Sequence, residues 1–288
     1  MIIHQSMTES DNVQRFMFEH ASIRGEIVHL NETYTKIIHQ KSYPAIIQTL
    51  LGEAILGCIL LASSIKFKGS ISLQFNGDER LPLLLVQCDD DLQIRAFAKH
   101  QPDGTPPSID YHEAFIHGQM KLIINQYHQT TQYESTVSIK SISMADNLMH
   151  YFAQSEQIAT RVWFAINQHQ AAGMLLQLMP GQNTLQREQF WEYAVHIGQT
   201  ISDHELLTLD NETILNRLYH ETELRLYNKR KVQFKCQCTQ EKMQQILRVL
   251  GPEENQKLLD ERGSIDVYCD FCNQHYNFDA IDVALLFR

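Results

Sequence analysis

Phe234-Lys235-Cys236-Gln237-Cys238 and, after thirty intervening residues, Cys269-Asp270-Phe271-Cys272 are the stretches on which the reading of this 288-residue chain turns. Zinc at a structural site takes a closed tetrahedral shell of nitrogen and sulfur ligands. Two closely spaced cysteine pairs, brought together by a folded loop, supply four sulfurs around one ion. The first pair is the tighter, with one residue between its ligands. The loop between the pairs carries its own folding signals. Thr239 is placed to cap a helix with an apolar face of Met243, Ile246, Leu247 and Leu250, stopped by Gly251-Pro252. Ile265 and Val267 alternate into Cys269 as a short strand, and His275, Tyr276 and Phe278 lead away from Cys272. The spacing therefore points to Cys236, Cys238, Cys269 and Cys272 as ligands of one Zn2+ in a small domain, 231–288. Other readings of the same residues are free core cysteines, static disulfides, a thioredoxin-like CxxC, and His275 standing in for one sulfur. No strand–CxxC–helix context surrounds Cys269, which weakens the thioredoxin reading. Spacing alone does not separate an inert zinc clip from a reactive one.

Upstream lies a charged, amphipathic and mostly helical stretch from Leu185 to Tyr227. Phe190, Trp191, Ile197, Leu215, Leu218 and Leu224 recur among many charges, with no core of their own. Such a segment must lie on another surface or be marginally stable. Pro180-Gly181 marks its start, so 180–230 is read as a helical linker.

Residues 1–179 read as mixed helix and strand. Strands are expected at Arg15–Phe18, Ile23–Leu30, Ile94–Ala98, Met120–Asn125, Arg161–Asn167 and Ala172–Met179. Ile71, Leu73 and Phe75 alternate with polar residues into Asn76-Gly77, the signature of a two-residue hairpin turn, with Leu81–Gln87 returning. Ile46–Ser64 has helical apolar spacing and a broad buried face. Ser143 and Asp146 resemble a capping box before a helix from Met144 to Ser155. Gln101–Ser108, with three prolines and a glycine, is a loop. The fold class is α+β: an N-terminal α/β core domain, a helical linker and a small zinc-binding domain.

A net charge of -10 argues against nucleic acid, which asks for clustered Lys and Arg. The acidic residues of 231–288 argue the same for that domain. The N-terminus lacks the basic and apolar regions of a secretory signal. The apolar run 46–65 contains Glu53 and is followed by Lys66 and Lys68, so it reads as a core helix rather than a membrane span. A cytoplasmic location follows, where paired cysteines suggest metal or redox chemistry over structural disulfides. Cys58 and Cys88 sit in apolar contexts and read as passive, and Asp89-Asp90-Asp91 as a solvated turn. GxxxxGK[ST], GxGxxG, HExxH and GxSxG are all absent, so nothing points to ATP, a dinucleotide or a hydrolase. A thiol–disulfide oxidoreductase stays open on the residues alone.

The two cysteine pairs in their contexts resemble the redox-regulated 33-kilodalton heat-shock protein family of bacterial chaperones. Arg24-Gly25-Glu26, Leu51-Gly52-Glu53, Lys66-Phe67-Lys68-Gly69, Ala171 to Gln177 with Met179-Pro180, and Arg217-Leu218-Tyr219-His220-Glu221 fit it in order. The resemblance is poorer at Asp78–Leu81 and Gln101–Gly118. It implies a non-enzymatic, ATP-independent holdase, latent when reduced and zinc-bound. It implies that oxidants form Cys236–Cys238 and Cys269–Cys272 disulfides with loss of zinc, and that the active form dimerises. Linker unfolding would then expose Phe190, Trp191, Ile197, Leu215, Leu218 and Leu224 to unfolded client proteins.

Overall fold

The computed structural model describes residues 11–101, 113–114, 118–127, 132–141, 143–181 and 185–287. The expected loop at 101–108 and the first ten residues therefore lie almost wholly outside the described residues. The chain divides into two compact units, Met1–Phe234 and Lys235–Arg288.

In the first unit, β1 (Asn12–Phe18), β2 (Ile23–Leu30), β9 (Ala171–Leu178) and β8 (Thr160–Ile166) form an antiparallel sheet, extended beyond β1 by β10 (Leu224–Leu226) and β11 (Arg230–Lys231). A second sheet runs β12 (Gln233–Phe234), β5 (Gln93–Lys99), β4 (Leu83–Asp89), β3 (Gly69–Asn76), β6 (Gln119–Gln126) and β7 (Tyr133–Ser138). Helix α1 (Glu32–Ile38) and the long helix α2 (Ala45–Ser64) follow β2. Helix α2 packs between the sheets, which explains why nearly all its faces are apolar: Leu51, Ala54, Ile55, Cys58 and Ile59 are buried in one core with Val28, Leu175, Leu73 and Val86. It is long and apolar enough to cross a membrane by length and composition, yet it is a core helix here.

The C-terminal end of α2 meets a buried polar cluster. Arg15 and Arg24 donate to the carbonyls of Ser63 and Ser64, serving acceptors that the helix end leaves unpaired. Glu26, fully buried, accepts from the Arg15 guanidinium (3.0 Å) and the Ser63 hydroxyl. Burial pushes its carboxyl up, against the pull of those two partners.

The first sheet is apolar on both faces. Val13, Val28 and Leu175 face α2, whereas Phe16, Ile23, Ile27, Ala172, Met174 and Leu176 face the other way. That second face is covered by α4 (Leu185–Gly198), α5 (Asp203–Thr208) and α6 (Asn211–Tyr219). The amphipathic segment thus solves its lack of a core by lying on the sheet. Its expected helical character ends at Tyr219, because Leu224 and Leu226 alternate onto the same apolar cluster as a strand. Arg225 between them points out to the Glu19 carboxylate.

Two further expectations are corrected. Asn76-Gly77 is not a two-residue turn. Asn76 still pairs with Gln119, and the loop from Gly77 to Pro82 closes through Leu81 N–H donating to Asp78 and the Arg80 guanidinium held by Asp78 and Glu113. Helix α3 (Met144–Tyr151) starts as predicted, with Ser143 Oγ accepting from Asp146 N–H, but it widens into a π-helical turn at Phe152–Glu156 that ends on Gln157 at φ 55°.

Candidate metal centre

The second unit is small, and its buried apolar core is correspondingly thin: Met243, Leu247, Leu259, Ile265, Phe278 and Val283. Helix α7 (Gln240–Leu250) is capped by Thr239, whose Oγ1 accepts from Lys242 N–H at 3.3 Å. Only Met243 and Leu247 of its expected apolar face are buried. Ile246 and Leu250 are exposed, because the core contacts one narrow stripe of the helix. Gly251, at φ 90°, redirects the chain into α8 (Pro252–Arg262), which begins on proline as the first turn favours. Strands β13 (Ile265–Tyr268) and β14 (His275–Phe278) pair, and α9 (Ala280–Leu286) starts from a reciprocal cap between Asp279 and Asp282.

This framework brings the two cysteine pairs together. Cys236 and Cys238 lie in the extended segment before the Thr239 cap. Cys269 and Cys272 lie in the β13–β14 connection, which is closed by Cys269 N–H to Gln274 O (3.0 Å) and Asn273 N–H to Cys269 O (2.8 Å). Asn273 takes φ 56°, a left-handed position that asparagine tolerates. All four Sγ atoms lie within 4.8 Å of one another. Two sulfur–sulfur contacts, 3.3 Å for Cys238–Cys272 and 3.6 Å for Cys236–Cys269, run across the two pairs. A tetrahedron with Zn–S bonds near 2.3 Å has edges of about 3.8 Å, so the four sulfurs already sit at ligand spacing. All six cysteines are free thiols.

His275 is not turned to the sulfurs. Its Nε2 bonds Asp266 Oδ1 at 2.6 Å and its ring stacks on Tyr268. Lys242 donates to the carbonyl of Gln237, between Cys236 and Cys238 (2.7 Å). The Tyr276 hydroxyl donates to Cys238 Sγ at 3.2 Å, a contact that ligand spacing gave no means of finding. Burial holds the Cys269 and Cys272 thiols above their ordinary range, despite backbone N–H donors. Burial also opposes ionisation of Cys238, but the hydrogen bonds from Tyr276 and the neighbouring thiols outweigh it and bring that thiol down to about 7. A divalent cation among these sulfurs would deprotonate all four outright. The all-sulfur donor set, its spacing and its backbone donors fit zinc.

Cys58 and Cys88 lie fully buried in the first unit's core, and burial pushes the Cys58 thiol up to about 12. Asp89 caps the β4–β5 turn by accepting from Gln93 N–H, and Asp90 pairs with Lys68. The six apolar linker residues fall in one cluster on the first sheet. Leu215 is buried, and Phe190, Trp191, Ile197, Leu218 and Leu224 pack half-buried around it.

A sequence model of the Hsp33 protein family matches residues 11–279. The 33 kDa chaperonin of Pseudomonas aeruginosa is 37% identical over 285 residues, covering 98% of this chain and 96% of its own. The 33 kDa chaperonin of Nitrosococcus oceani is 37% identical over 281 residues, with the same coverage. These relatives carry the name of a chaperone, not of an enzyme. The crystal structure of the Thermotoga maritima Hsp33 homologue superposes with a TM-score of 0.79 at 22% identity, over 96% of this chain and 97% of that one, and so shares the fold. With the family model matched from residue 11 to 279, a 33 kDa chaperonin 37% identical over nearly the whole chain, and the four sulfurs gathered, the chain belongs to the Hsp33 family.

Proposed function

We propose that this chain is an ATP-independent holdase, latent when its four cysteines are reduced and hold one zinc ion, and activated when oxidants convert them to disulfides. The observation that carries the reading is a four-sulfur cluster in a unit with only six buried apolar core residues. Structural zinc contributes on the order of 10–16 kcal/mol of apparent binding energy to a small module. A whole domain is typically stable by only about 5–15 kcal/mol. Loss of the ion therefore unfolds the unit rather than loosening it. Bound there, zinc supplies a charge that keeps the sulfurs as thiolates, the form that oxidants attack.

Oxidation within the pairs, Cys236–Cys238 and Cys269–Cys272, removes the thiolates and releases the ion. Phe234 and Cys236 are two residues apart, so a mobile 235–288 hands its freedom directly to the short strands β10, β11 and β12. The segment 180–230 is then the metastable linker. Its helices lift from the first sheet, and Phe190, Trp191, Ile197, Leu215, Leu218 and Leu224 become a client surface rimmed by charge. The freshly exposed apolar face also favours a homodimer of the oxidised form. A reducing cytoplasm suits a switch poised in this way.

The test is light scattering of a thermally unfolding client without ATP. The reduced, zinc-bound chain should leave aggregation unchanged, and the peroxide-treated chain should suppress it near equimolar ratio. Suppression that is equal in both states contradicts the switch. A thiol–disulfide oxidoreductase is separated by insulin reduction, in which a switch shows no turnover.

A further inference from the structure

Tyr276 sits in β14 opposite Val267 of β13. Strand alternation fixes its direction. On the far face, His275 and Asn277 both bond the Asp266 carboxylate, at 2.6 and 2.9 Å. Tyr276 and Phe278 therefore point inward together. Phe278 is fully buried in the apolar cluster, and the Tyr276 ring packs half-buried against that cluster. The ring is thus set against that cluster, and its hydroxyl reaches Cys238 Sγ at 3.2 Å. A thiolate bound to a cation has no proton to give, so the phenol must donate and the sulfur accept. Such a donor draws electron density from the sulfur, as partners outside a metal's ligands do.

We propose that Tyr276 is a positioning residue of the switch, whose phenol-to-sulfur hydrogen bond slows oxidant attack on the Cys236–Cys238 pair and so sets how fast the site opens. The inference rests on the proposed redox function. With peroxide as oxidant, the step balances simply. One thiolate of the pair takes up an oxygen as sulfenic acid, and hydroxide leaves. The second thiolate attacks that sulfur, a second hydroxide leaves and the S–S bond forms. Two thiolates, one peroxide and two protons give one disulfide and two waters. The hydrogen bond acts on the first event if Cys238 is the nucleophile, and on the second if Cys236 is.

The full-length, zinc-loaded chain and its Tyr276→Phe variant are mixed with peroxide. Zinc release is followed with a chromogenic chelator, and each cysteine's oxidation by alkylation and peptide mapping. The variant should oxidise the Cys236–Cys238 pair about three- to tenfold faster, the worth of one hydrogen bond. The Cys269–Cys272 pair should keep its own intrinsic rate. Tyr268→Phe, which removes a phenol stacked on His275 rather than one bonded to sulfur, should behave as the parent. If Tyr276→Phe does not fold, 3-fluorotyrosine placed at 276 keeps the ring and strengthens the donor, and the pair should then oxidise more slowly. Equal rates in parent, Tyr276→Phe and fluorinated chain overturn the inference while leaving the switch intact. Zinc retention by every chain under peroxide overturns both.

Discussion

Gly25 leaves room for a phenyl ring. A Cβ built there would fall inside the ring of Phe16, its cross-strand partner, which is fully buried on the linker side of the first sheet. Gly25→Ala should therefore force the ring aside and cost about 1–3 kcal/mol, read as a lower midpoint in urea with unchanged slope. An unchanged midpoint would mean the ring has space elsewhere. Glu53, on α2, is a second residue whose cost lies in its surroundings: burial raises its carboxyl to about 7. Its folded pKa lies above the unfolded value, so the folded state holds the proton longer. The stability this gives is complete below about pH 4.5 and is lost as pH rises through 7. Glu53→Gln should remove that loss, raising stability at pH 8 by about 2–3 kcal/mol and flattening the profile between pH 4.5 and 7. A pH profile identical to the parent's would contradict it. At this scale the sequence made the four-cysteine cluster readable, because the spacing within each pair is local. Tyr276 and the Arg15–Glu26–Ser63 cluster were not readable, since each depends on a strand register or on residues far apart in the chain.

The first sheet and the helices over it carry the element-scale argument. β9 is buried along nearly its whole length, a pattern that demands cover on both faces. That demand was present in Ala171-Ala172-Gly173-Met174-Leu175-Leu176, and it says what the coreless stretch 185–219 rests on. Asn76-Gly77 misled for a physical reason: a local turn signal lost to the Asp78–Arg80–Glu113 clasp, which fixes a longer loop. Leu215 is 3% exposed at the centre of the helix–sheet contact, and the Tyr219 hydroxyl ties α6 to α4 through Ala194 O at 2.9 Å. Leu215→Glu puts an unpaired charge there, at a cost of several kcal/mol. The reduced variant should bind an apolar dye and suppress client aggregation without peroxide, while still holding zinc. If it exposes dye-binding surface yet suppresses nothing, clients bind elsewhere.

At the scale of the molecule, two units of unequal size divide the labour. The larger has an extensive apolar core around α2, and the smaller a thin one beside its four gathered sulfurs. Chelation of zinc under reducing conditions should therefore abolish the cooperative transition of 235–288 together with the linker that depends on it, and leave the far larger transition of the core domain, 11–179, in place, seen as two calorimetric events reduced to one. A single event unchanged by chelation would show that the small core suffices alone. The central claim is that one event, oxidation of the four cysteines, both frees the ion and creates the chaperone. Its most direct test measures zinc released, thiols lost and client aggregation suppressed on the same peroxide-treated samples over time. The account predicts one zinc leaving as four thiols disappear, with suppression rising on the same time course. Zinc that stays bound while suppression is constant or absent would make the cluster a fixed structural clip and contradict it.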